Sequence, residues 1–502
     1  MEVSGTVLEA SNLEPIKGIQ VGLHKDLGDS AFVSKPFDRV SRTDSRGRFT
    51  IRGIAPGKYR IYALKDGNQN YMFDSKSEMV AFSDSIIVPS FVPATRQDTL
   101  WKDTLTVDTI KTVKYTRYLP DDILLRAFKE ENTRQYLVRS QRDKLNHFIL
   151  TFSAKADTLP TLKGLNFDEK DAFIVESTDR NDSICYWIKD SLLYEMDTLA
   201  IQMDYLYTDT LDKLVPKTDT LYLTNKISRE KRQQLAQAEA EKKEKERKKM
   251  EKRGKTVEPE KTKFLEMKVD APSSFDIYKN IRLSFEEPVA SIDTSAIHVE
   301  IKEDTLWKEA PFLLMEDSVM PRQYEILAEW EPEKEYRLKI DSAAITGLYG
   351  LHTNKVEQTL KVKKQDEYGT LLLNIEGAGK GAIVELLDHS GNVIRTQPVN
   401  EEGMADFYYL NPGTKYYIRL FIDRNGNGVW DTGNFMAGIQ PEEVFYFPKT
   451  WEMRANFEFE ETWDVHALPL DKQKLDEIKK QKPEEQKKIQ NKNKERAKKL
   501  GR

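Results

Sequence analysis

An internal repeat sets the first limit on how this 502-residue chain folds. Near each end, a glycine is followed nine residues later by Pro-Gly, and then by an aromatic residue, an isoleucine and a run of Asp and Asn. The two series agree in spacing within one residue: Gly47, Pro56, Gly57, Tyr59, Ile61, Asp66, Asn68, Asn70, Phe73 and Asp74 against Gly403, Pro412, Gly413, Tyr416, Ile418, Asp423, Asn425, Asn427, Trp430 and Asp431. Such joint spacing indicates two copies of one β-module, with one copy at each end.

The stretch from Val3 to about Asn225 has the pattern of β-strands. Apolar and polar residues alternate, Val, Ile, Tyr, Phe and Thr are frequent, and turn residues recur every 8 to 12 positions. At roughly 100 to 200 residues per domain, the length predicts several domains. We therefore expect an all-β fold, a multi-domain string of antiparallel β-sandwiches.

Charge is distributed unevenly along the chain. Two basic segments each carry a net charge of +7. Residues 226–263 contain 15 Lys and Arg and 8 Asp and Glu, and residues 471–502 contain 13 Lys and Arg and 6 Asp and Glu. Because the whole chain has a net charge of −5, the remaining residues carry −19. The sequence therefore predicts an acidic body with two basic arms.

Both arms have helical composition. The stretch from Ile227 to Arg253 lacks Gly and Pro and has few large apolar residues, which predicts an exposed charged helix ending at Gly254. The second arm is interrupted by Pro483, which predicts two short helices.

Several classes of protein are excluded or disfavoured at this stage. The single cysteine, Cys185, excludes an internal disulfide framework and a cysteine-rich zinc site, and we expect it to be a buried thiol. No apolar run is long enough for a membrane-spanning helix. The six histidines are scattered, and no nucleophile, Walker or dinucleotide motif occurs, so we expect no enzyme.

The repeated segments resemble a known module. They are similar to carboxypeptidase-regulatory-like modules in three features. These are a glycine-threonine opening strand, an Asp-x-x-Gly-x-Phe turn (Asp44, Gly47 and Phe49) and a Pro-Gly-x-Tyr sequence. The resemblance covers Glu2 to Ser90 and, with Asn400 and Asp406-Phe407 replacing parts of the turn, Tyr368 to Glu460. It implies two small transthyretin-like sandwiches.

The middle of the chain resembles a second kind of module. It is similar to the bacterial Ig-like domain of S-layer and envelope proteins. The segments that carry this resemblance are Ile281–Val289, Trp330-Glu331-Pro332 and Tyr336–Ile340. The strand-rich stretch from Phe148 to Leu223 suggests another Ig-like domain.

This order of modules resembles large Ig-like lipoproteins of Gram-negative cell envelopes. The resemblance implies a location in the envelope, either associated with the outer membrane or at the cell surface, with any membrane association through a lipid anchor outside this chain. Met1-Glu2-Val3-Ser4-Gly5 lacks an export signal and coincides with the start of the first regulatory-like module. The resemblance therefore implies either a fragment or a start assigned too late.

The strongest candidate for binding chemistry is the loop Asp423–Asp431. Asp423, Asn425, Asn427 and Asp431 place oxygen ligands at positions 1, 3, 5 and 9 of an EF-hand-like loop, and the carbonyl of Val429 would serve at position 7. Position 12 is Asn434 instead of glutamate, so the sequence predicts weak calcium binding. The alternative is a loop closed by hydrogen bonds between its own side chains and backbone.

The equivalent loop in the first copy contains Asp66, Asn68, Asn70 and Asp74. Gln69 and Tyr71 stand where the second copy has glycines. We interpret this loop as a turn that retains the pattern without the ion.

Three functions are compatible with the basic arms. The first arm would be a solvated spacer helix, a docking element for a protein or for the second arm, or a contact for an anionic surface. Pairing of the arms would need apolar contacts such as Leu235 with Leu475 or Ile478. The first arm lacks aromatic residues for base stacking, so we expect no nucleic-acid partner.

These observations together predict a non-enzymatic structural or binding protein of the cell envelope that engages a protein partner. The alternative is an accessory protein of the envelope that binds glycans or other ligands. Exposed aromatic residues of the last module (Trp430, Phe435, Trp451 and Trp463) would form its platform, but we expect most of them to lie in a core. The oligomeric state stays open. The expected domains are two regulatory-like sandwiches (1–95 and 367–470), two Ig-like domains (96–225 and 264–366), the basic helix with its linker (226–263) and the basic tail (471–502).

Overall fold

A computed structural model of the chain describes residues 1–28, 30–101, 107–251 and 263–482. The chain forms two compact units, one built from Met1–Glu131 together with Asp366–Arg502 and the other from Asn132–Gln365. Both copies of the repeat therefore belong to the same unit. None of the helices in the described ranges combines the length and apolar character needed to span a membrane.

The first sandwich begins at the N-terminus. Its elements in chain order are β1 (Glu2–Glu9), β2 (Gln20–His24), α1 (Ser30–Ser34), β3 (Arg39–Arg42), β4 (Arg48–Arg52), β5 (Arg60–Lys65), β6 (Met79–Phe82), β7 (Ser90–Trp101), β8 (Val107–Leu119) and β9 (Ile123–Lys129). Seven strands form one sheet in the order β3-β2-β5-β6-β9-β1-β4. Strand β9 pairs in parallel with β1, so this sandwich takes its last strand from beyond residue 95.

Strands β7 and β8 form a separate two-stranded sheet, the β7–β8 hairpin. Ser90 pairs with Leu119 at its base. Phe91 and Val92 are both exposed, and they point to opposite sides because side chains alternate along a strand. Both faces of the hairpin therefore carry apolar side chains in contact with water.

The second unit starts with an Ig-like sandwich. Its elements are β10 (Leu137–Lys144), β11 (His147–Phe152), β12 (Thr161–Gly164), β13 (Phe173–Ser177), β14 (Ser183–Ile188), α2 (Ser191–Tyr194), β15 (Thr198–Thr208) and β16 (Leu214–Thr224). The sheets β10-β11-β14-β13 and β12-β15-β16 pack over one core, which contains Phe148, Tyr186 and Met203. Cys185 on β14 is half-buried, and burial raises the pKa of its thiol to about 12.

A charged helix, α3 (Arg229–Glu251), follows this sandwich. The N–H of Arg229 donates to the Asp197 carboxylate, and Arg232 forms ion pairs with Glu195 and Asp197. These contacts hold the first turn of α3 against the sandwich, while Leu235 one turn later is exposed. Gly254 and the predicted linker lie outside the described residues.

The second Ig-like sandwich completes this unit. Its strands are β17 (Met267–Asp270), β18 (Ser274–Phe275), β19 (Ile281–Phe285), β20 (Val289–Ile292), β21 (Ile297–Glu303), β22 (Leu306–Glu309), β23 (Phe312–Glu316), β24 (Gln323–Ala328), β25 (Glu335–Ile340), β26 (Ile345–Gly347) and β27 (Val356–Val362). Short 3-10 helices lie at Thr294–Ala296 and Gln365–Glu367. The sheets β17-β19-β24-β23 and β18-β27-β25-β21-β22 enclose a core with Phe275, Trp330 and Tyr336.

The last sandwich returns to the first unit. Its elements are β28 (Gly369–Glu376), β29 (Ala382–Leu387), β30 (Val393–Pro398), β31 (Met404–Leu410), β32 (Lys415–Ile422), β33 (Val444–Tyr446), β34 (Trp451–Glu452), β35 (Glu458–Asp464) and α4 (Leu470–Gln473). One sheet has the order β31-β28-β35, and the other joins β30, β29, β32 and β33 in that order. Strand β28 pairs in parallel with β35.

The first and last sandwiches share one topology, as the repeat predicts. In each, the opening strand lies between an antiparallel neighbour (β4 or β31) and a parallel final strand (β9 or β35). Asp44 accepts hydrogen bonds from the N–H groups of Arg46 and Arg48, and Asn400 accepts the equivalent bonds in the last sandwich. The all-β, multi-domain sandwich architecture expected from the sequence is confirmed.

The second basic arm is less helical in its described part than its composition predicts. The four-residue helix α4 is followed by turns up to residue 482, and Pro483 lies outside the described residues. Ile478 is buried and Leu475 partly buried in the first unit, because both pack against a cluster that includes Leu8 and Tyr417. Leu475 and Ile478, two of the side chains considered for pairing of the arms, are therefore already packed within this unit.

Candidate functional site

The loop of residues 423–431, the Asp423 loop, follows β32 directly. The Asp423 carboxylate accepts hydrogen bonds from the N–H groups of Gly426 at 2.6 Å, Asn427 at 3.2 Å and Gly428 at 2.7 Å. Gly426 and Gly428 have φ values of 75° and 80°, which turn their N–H groups inward. Burial opposes ionisation of Asp423, but these N–H donors outweigh it and lower the pKa of its carboxyl.

The side chains of Asn425 and Asn427 close the same loop from the other side. Both amide nitrogens donate to the Asp431 carboxylate, with a distance of 2.9 Å from Asn427. The N–H of Val429 donates to the Asn427 side-chain oxygen at 2.9 Å. The loop therefore brings together the four predicted side chains and the backbone of Val429.

Glu442, which lies outside this loop, bonds to it in a way that the sequence pattern did not reveal. Its side chain is 1% exposed and accepts hydrogen bonds from the N–H groups of Arg424 at 2.7 Å and Asp431 at 2.9 Å. It stands just before β33, outside the EF-hand spacing. Folding thus adds a glutamate to a loop whose position 12 lacks one.

The ligand types of the Asp423 loop suit calcium, since carboxylate, amide and carbonyl oxygens are its usual ligands. The arrangement present is that of a hydrogen-bonded loop, because both amides turn nitrogen, not oxygen, toward Asp431. Within the described ranges, no group of three or more His, Cys, Asp or Glu side chains is arranged to hold a metal ion. A cation at this loop would require both amides to rotate.

The loop of residues 66–74, the Asp66 loop, has the same hydrogen-bond scheme. The Asp66 carboxylate accepts from the N–H groups of Gln69 and Tyr71. The side-chain amides of Asn68 and Asn70 donate to Asp74 at 2.8 and 2.6 Å. The two loops are thus structural equivalents.

Glu78 takes the place of Glu442 beside the Asp66 loop. Its side chain accepts a hydrogen bond from the N–H of Gly67 at 3.1 Å, as Glu442 does from the equivalent Arg424. Burial raises the pKa of the Glu78 carboxyl, and the negative charges of Asp74 and Asp66 raise it further. The N–H groups of Gly67 and Asp74 lower this pKa, but by less than the other effects raise it. The equivalence is not visible in the sequence, because the two glutamates follow their loops at different distances.

The segment after the Asp423 loop joins the first and last sandwiches. Phe435 is 6% exposed and lies in an aromatic cage from the first sandwich, formed by Phe32, Tyr62, Phe73 and Phe82. The Phe435 N–H donates to the Glu130 carboxylate at 2.7 Å. A large apolar side chain and a buried hydrogen bond therefore fix the two domains together.

A second contact between the same domains is polar. Lys474 forms a buried ion pair with Glu14 at 2.6 Å. The Glu14 carboxylate also accepts from the backbone N–H groups of Lys480 and Gln481. The residues after α4 therefore bind to the first sandwich through one carboxylate.

The aromatic residues considered for a glycan platform are largely buried. Phe435, Trp451 and Trp463 are buried, and Trp430 is partly buried and donates its indole N–H to the Glu442 carbonyl. They therefore do not form an exposed platform, and most of them lie in a core as expected, because their apolar area fills cores and the contact between domains.

Comparisons with known proteins give distant structural similarities. No protein-family model and no curated protein matches the chain. Among solved structures, the BcpA major pilin subunit of Bacillus cereus is 10% identical, with 92% of this chain and 98% of the pilin covered, at a TM-score of 0.17. The N-terminal part of the bacterial S-layer protein SbsC is 14% identical, with 33% and 42% covered, at a TM-score of 0.18. Domains A168–A170 of titin are 9% identical, with 65% and 100% covered, at a TM-score of 0.14.

Proposed function

We propose that this chain is a non-enzymatic structural and binding protein of the bacterial cell envelope that engages a protein partner. Its folded mass lies in sandwiches, and two of them are joined by the Phe435 cage and the Glu14–Lys474 pair. A joined pair of domains holds its surface elements at a set distance and orientation.

The β7–β8 hairpin is the observation that supports this proposal best. The last sandwich passes from β34 to β35 through a short connection, whereas the first sandwich inserts the hairpin before β9. A hairpin with no third strand is marginally stable in water, and this one exposes Phe91, Val92 and Ile110. Its unpaired edges and exposed side chains suit the addition of a strand from a partner.

A hairpin-shortened variant tests this function. Because Ser90 pairs with Leu119, residues 91–118 can be replaced by Asn-Gly while the sandwich keeps its strands. We expect wild type, used as bait in detergent extracts of envelope membranes, to retain a protein partner that the shortened variant loses. Retention of the same partner by the shortened variant would exclude the hairpin as the binding surface.

A matched control keeps the hairpin and changes only its surface. The double substitution of Phe91 and Val92 by Ser should weaken capture of the partner, whereas Leu313→Ser on the exposed edge strand β23 should leave it unchanged. Circular dichroism of each variant shows whether the fold is retained. A variant lacking residues 226–263 tests in the same assay whether the first basic arm takes part.

A location in the envelope follows from the same proposal. The module order, with regulatory-like sandwiches flanking Ig-like ones, supports membership of the Ig-like envelope lipoproteins, held at the outer membrane by a lipid anchor outside this chain. Fractionation of cells that express the native gene tests this location. Recovery in the cytoplasmic fraction would contradict it.

We also propose that the Asp423 loop binds calcium weakly, through Asp423, Asn425, Asn427, Asp431 and the carbonyl of Val429. The ligand types support this, because carboxylate, amide and carbonyl oxygens are those that calcium prefers. Calorimetric titration of calcium chloride should show binding that Asp423→Ala removes. Asp388→Ala is the control, since Asp388 also accepts two backbone N–H groups in a turn of this sandwich but has no role in the loop. Equal heats for wild type and Asp423→Ala would exclude the site.

A further inference from the structure

Strand β23 is an edge strand of the second Ig-like sandwich, and among the described residues no strand pairs with its outer side. The N–H of Asp317, just after β23, donates to the Gln323 carbonyl at 2.9 Å. Because hydrogen-bonded pairs recur at every second residue of an antiparallel ladder, Leu313 and Met315 make the bonds to β24. The backbone groups that point away from β24 belong to Phe312, Leu314 and Glu316.

The solvent-facing side of β23 is apolar. Leu313 and Met315 are 67% and 54% exposed, and they lie on the same face because side chains alternate along a strand. The turn that follows adds Val319 and Met320, which are also exposed. Exposed apolar side chains that lie this close together are typical of an interaction surface.

β23 also lacks the residues that usually protect a sheet edge. Edge strands commonly carry charged side chains, especially Lys, or proline, which discourage pairing with another chain. The edge strands β3, β4, β22 and β30 of this chain each contain Arg or Lys. The sequence of β23, Phe-Leu-Leu-Met-Glu, contains no Lys, Arg or Pro. Its outer edge is therefore open to another strand.

We propose that β23 pairs with β23 of a second copy of this chain, antiparallel and centred on Leu314. In this register, the outward backbone groups at positions 312, 314 and 316 face those at 316, 314 and 312 of the second copy. Together they form about six hydrogen bonds. Leu313 of each copy faces Met315 of the other, so the exposed apolar side chains cover one another.

The charges of the strand are compatible with this register. Glu316 faces Phe312 of the second copy, and Asp317 faces Pro311, so no acidic side chain lies opposite another. Like charges directly opposite would destabilise the pair. The strand is therefore complementary to itself in backbone, apolar side chains and charge, which favours a second copy over an unrelated strand. This interface goes beyond the proposed function, because it does not involve the β7–β8 hairpin.

Sedimentation velocity of the full chain tests this proposal. We expect wild type to pass from monomer to dimer as its concentration rises to about 100 μM, where a dimer with a micromolar dissociation constant is populated. A variant with Leu313→Lys and Met315→Lys should dimerise about tenfold or more weakly, because lysines would face lysines. A variant with Leu313→Glu and Met315→Glu should be weakened for the same reason. Mixing the two should restore the dimer, because each lysine then faces a glutamate.

Two further variants separate edge pairing from general surface effects. Leu306→Lys is the matched control, since Leu306 is also 67% exposed but lies on β22, and it should dimerise like wild type. Glu316→Pro removes an outward N–H and keeps the ladder to β24, so it should weaken the dimer. Circular dichroism of each variant checks the fold.

Four outcomes would overturn the proposal. They are a monomeric wild type at every concentration, equal weakening by Leu306→Lys, no dimer in the mixture of the Lys and Glu variants, and loss of the dimer in the hairpin-shortened variant. The last outcome would place self-association on the hairpin. Because partner capture is measured in a separate assay, failure of this interface leaves the proposed function to be judged by its own result.

Discussion

Phe435 shows how one side chain can join two domains. It belongs to the last sandwich, and its ring meets four aromatic rings of the first at centroid distances of 5.0 to 5.8 Å. All four contacts are edge-to-face, the geometry in which the electropositive ring edge meets an electronegative face. The shape of the cage therefore fits an aromatic side chain, and an aliphatic side chain would leave part of the cage empty.

Truncation of Phe435 should therefore destabilise the first unit. We expect Phe435→Ala to lower the free energy of unfolding by about 3–5 kcal/mol, since it removes a buried ring and leaves a cavity. Urea unfolding followed by circular dichroism measures this. Met436→Ala, at an exposed neighbouring side chain, should stay within about 0.5 kcal/mol of wild type. Equal stability of the two variants would contradict the role of the cage.

The Glu14–Lys474 pair makes stability depend on pH. Burial alone would raise the pKa of Glu14, but the hydrogen bonds from Lys474, Lys480 and Gln481 lower it below 4.5, its value in the unfolded chain. Ionised Glu14 therefore stabilises the fold fully above pH 4.5, and this contribution is lost as the pH falls through its lower folded-state pKa. Burial lowers the pKa of Lys474, so the stabilisation that depends on acid comes from the carboxylate.

Glu14→Gln tests this dependence. At neutral pH, we expect it to cost about 3 kcal/mol because it leaves a buried ammonium unpaired. In acid, the difference from wild type should shrink, since protonation of Glu14 removes the same charge. Glu2→Gln, in an exposed pair with Arg52, should have little effect at any pH. A pH-independent difference for Glu14→Gln would refute the explanation.

At the scale of single elements, each opening strand contains a glycine that lies close to another segment of its sandwich. The two positions are not equivalent, since the N–H groups of Val7 and Ile375 both donate to the repeat glycines Gly47 and Gly403, which aligns Gly5 with Leu373. A Cβ on Gly5 would lie 1.9 Å from the carbonyl oxygen of Ile123 in β9. A Cβ on Gly369 would lie 2.8 Å from the carbonyl oxygen of Arg454, on the approach to β35. Gly5 lets the final strand come close, whereas Gly369 admits the segment that precedes β35, at a longer distance.

This difference predicts a graded effect. Gly5→Ala should destabilise the chain by about 2 kcal/mol or more, because backbone must move to admit the methyl group. Gly369→Ala should cost less, since its closest contact is longer. Thermal unfolding measures both, and a larger loss for Gly369→Ala would contradict the role assigned to the β1–β9 approach.

At the scale of the whole molecule, the two ends of the chain build one unit. The first sandwich leaves Phe32, Tyr62 and Phe82 at the surface that Phe435 covers, so neither end buries its own apolar area completely. Folding of this unit therefore depends on residues that are far apart in sequence, which slows its formation relative to local contacts.

Fragments can test this dependence. Separately expressed residues 1–131 and 366–482 should each be protease-sensitive, and mixing them should restore protection through the Phe435 and Glu14 contacts. Analytical ultracentrifugation of the mixture should show a one-to-one complex. Phe435→Ala in the second fragment should weaken that complex, and an equally stable isolated first fragment would contradict the prediction.

Much of the architecture could be read directly from the sequence because its signals are local. The repeat spacing, the alternation of apolar residues and the Asp-Gly and Asn-Gly turns each depend on neighbours within a few positions. They predicted two related sandwiches, Ig-like domains between them and a charged helix, and they brought Asp423, Asn425, Asn427 and Asp431 into one loop.

The tertiary structure alone decided which distant residues meet. Glu442 and Glu78 reach equivalent loops from different sequence distances, and Gln69 and Tyr71 take a glycine-like backbone that their residue types do not signal. Phe435 and Trp451 have the same apolar character as residues of an exposed platform, yet they are buried. Sequence determines what each residue prefers locally, whereas burial depends on what the rest of the chain places against it.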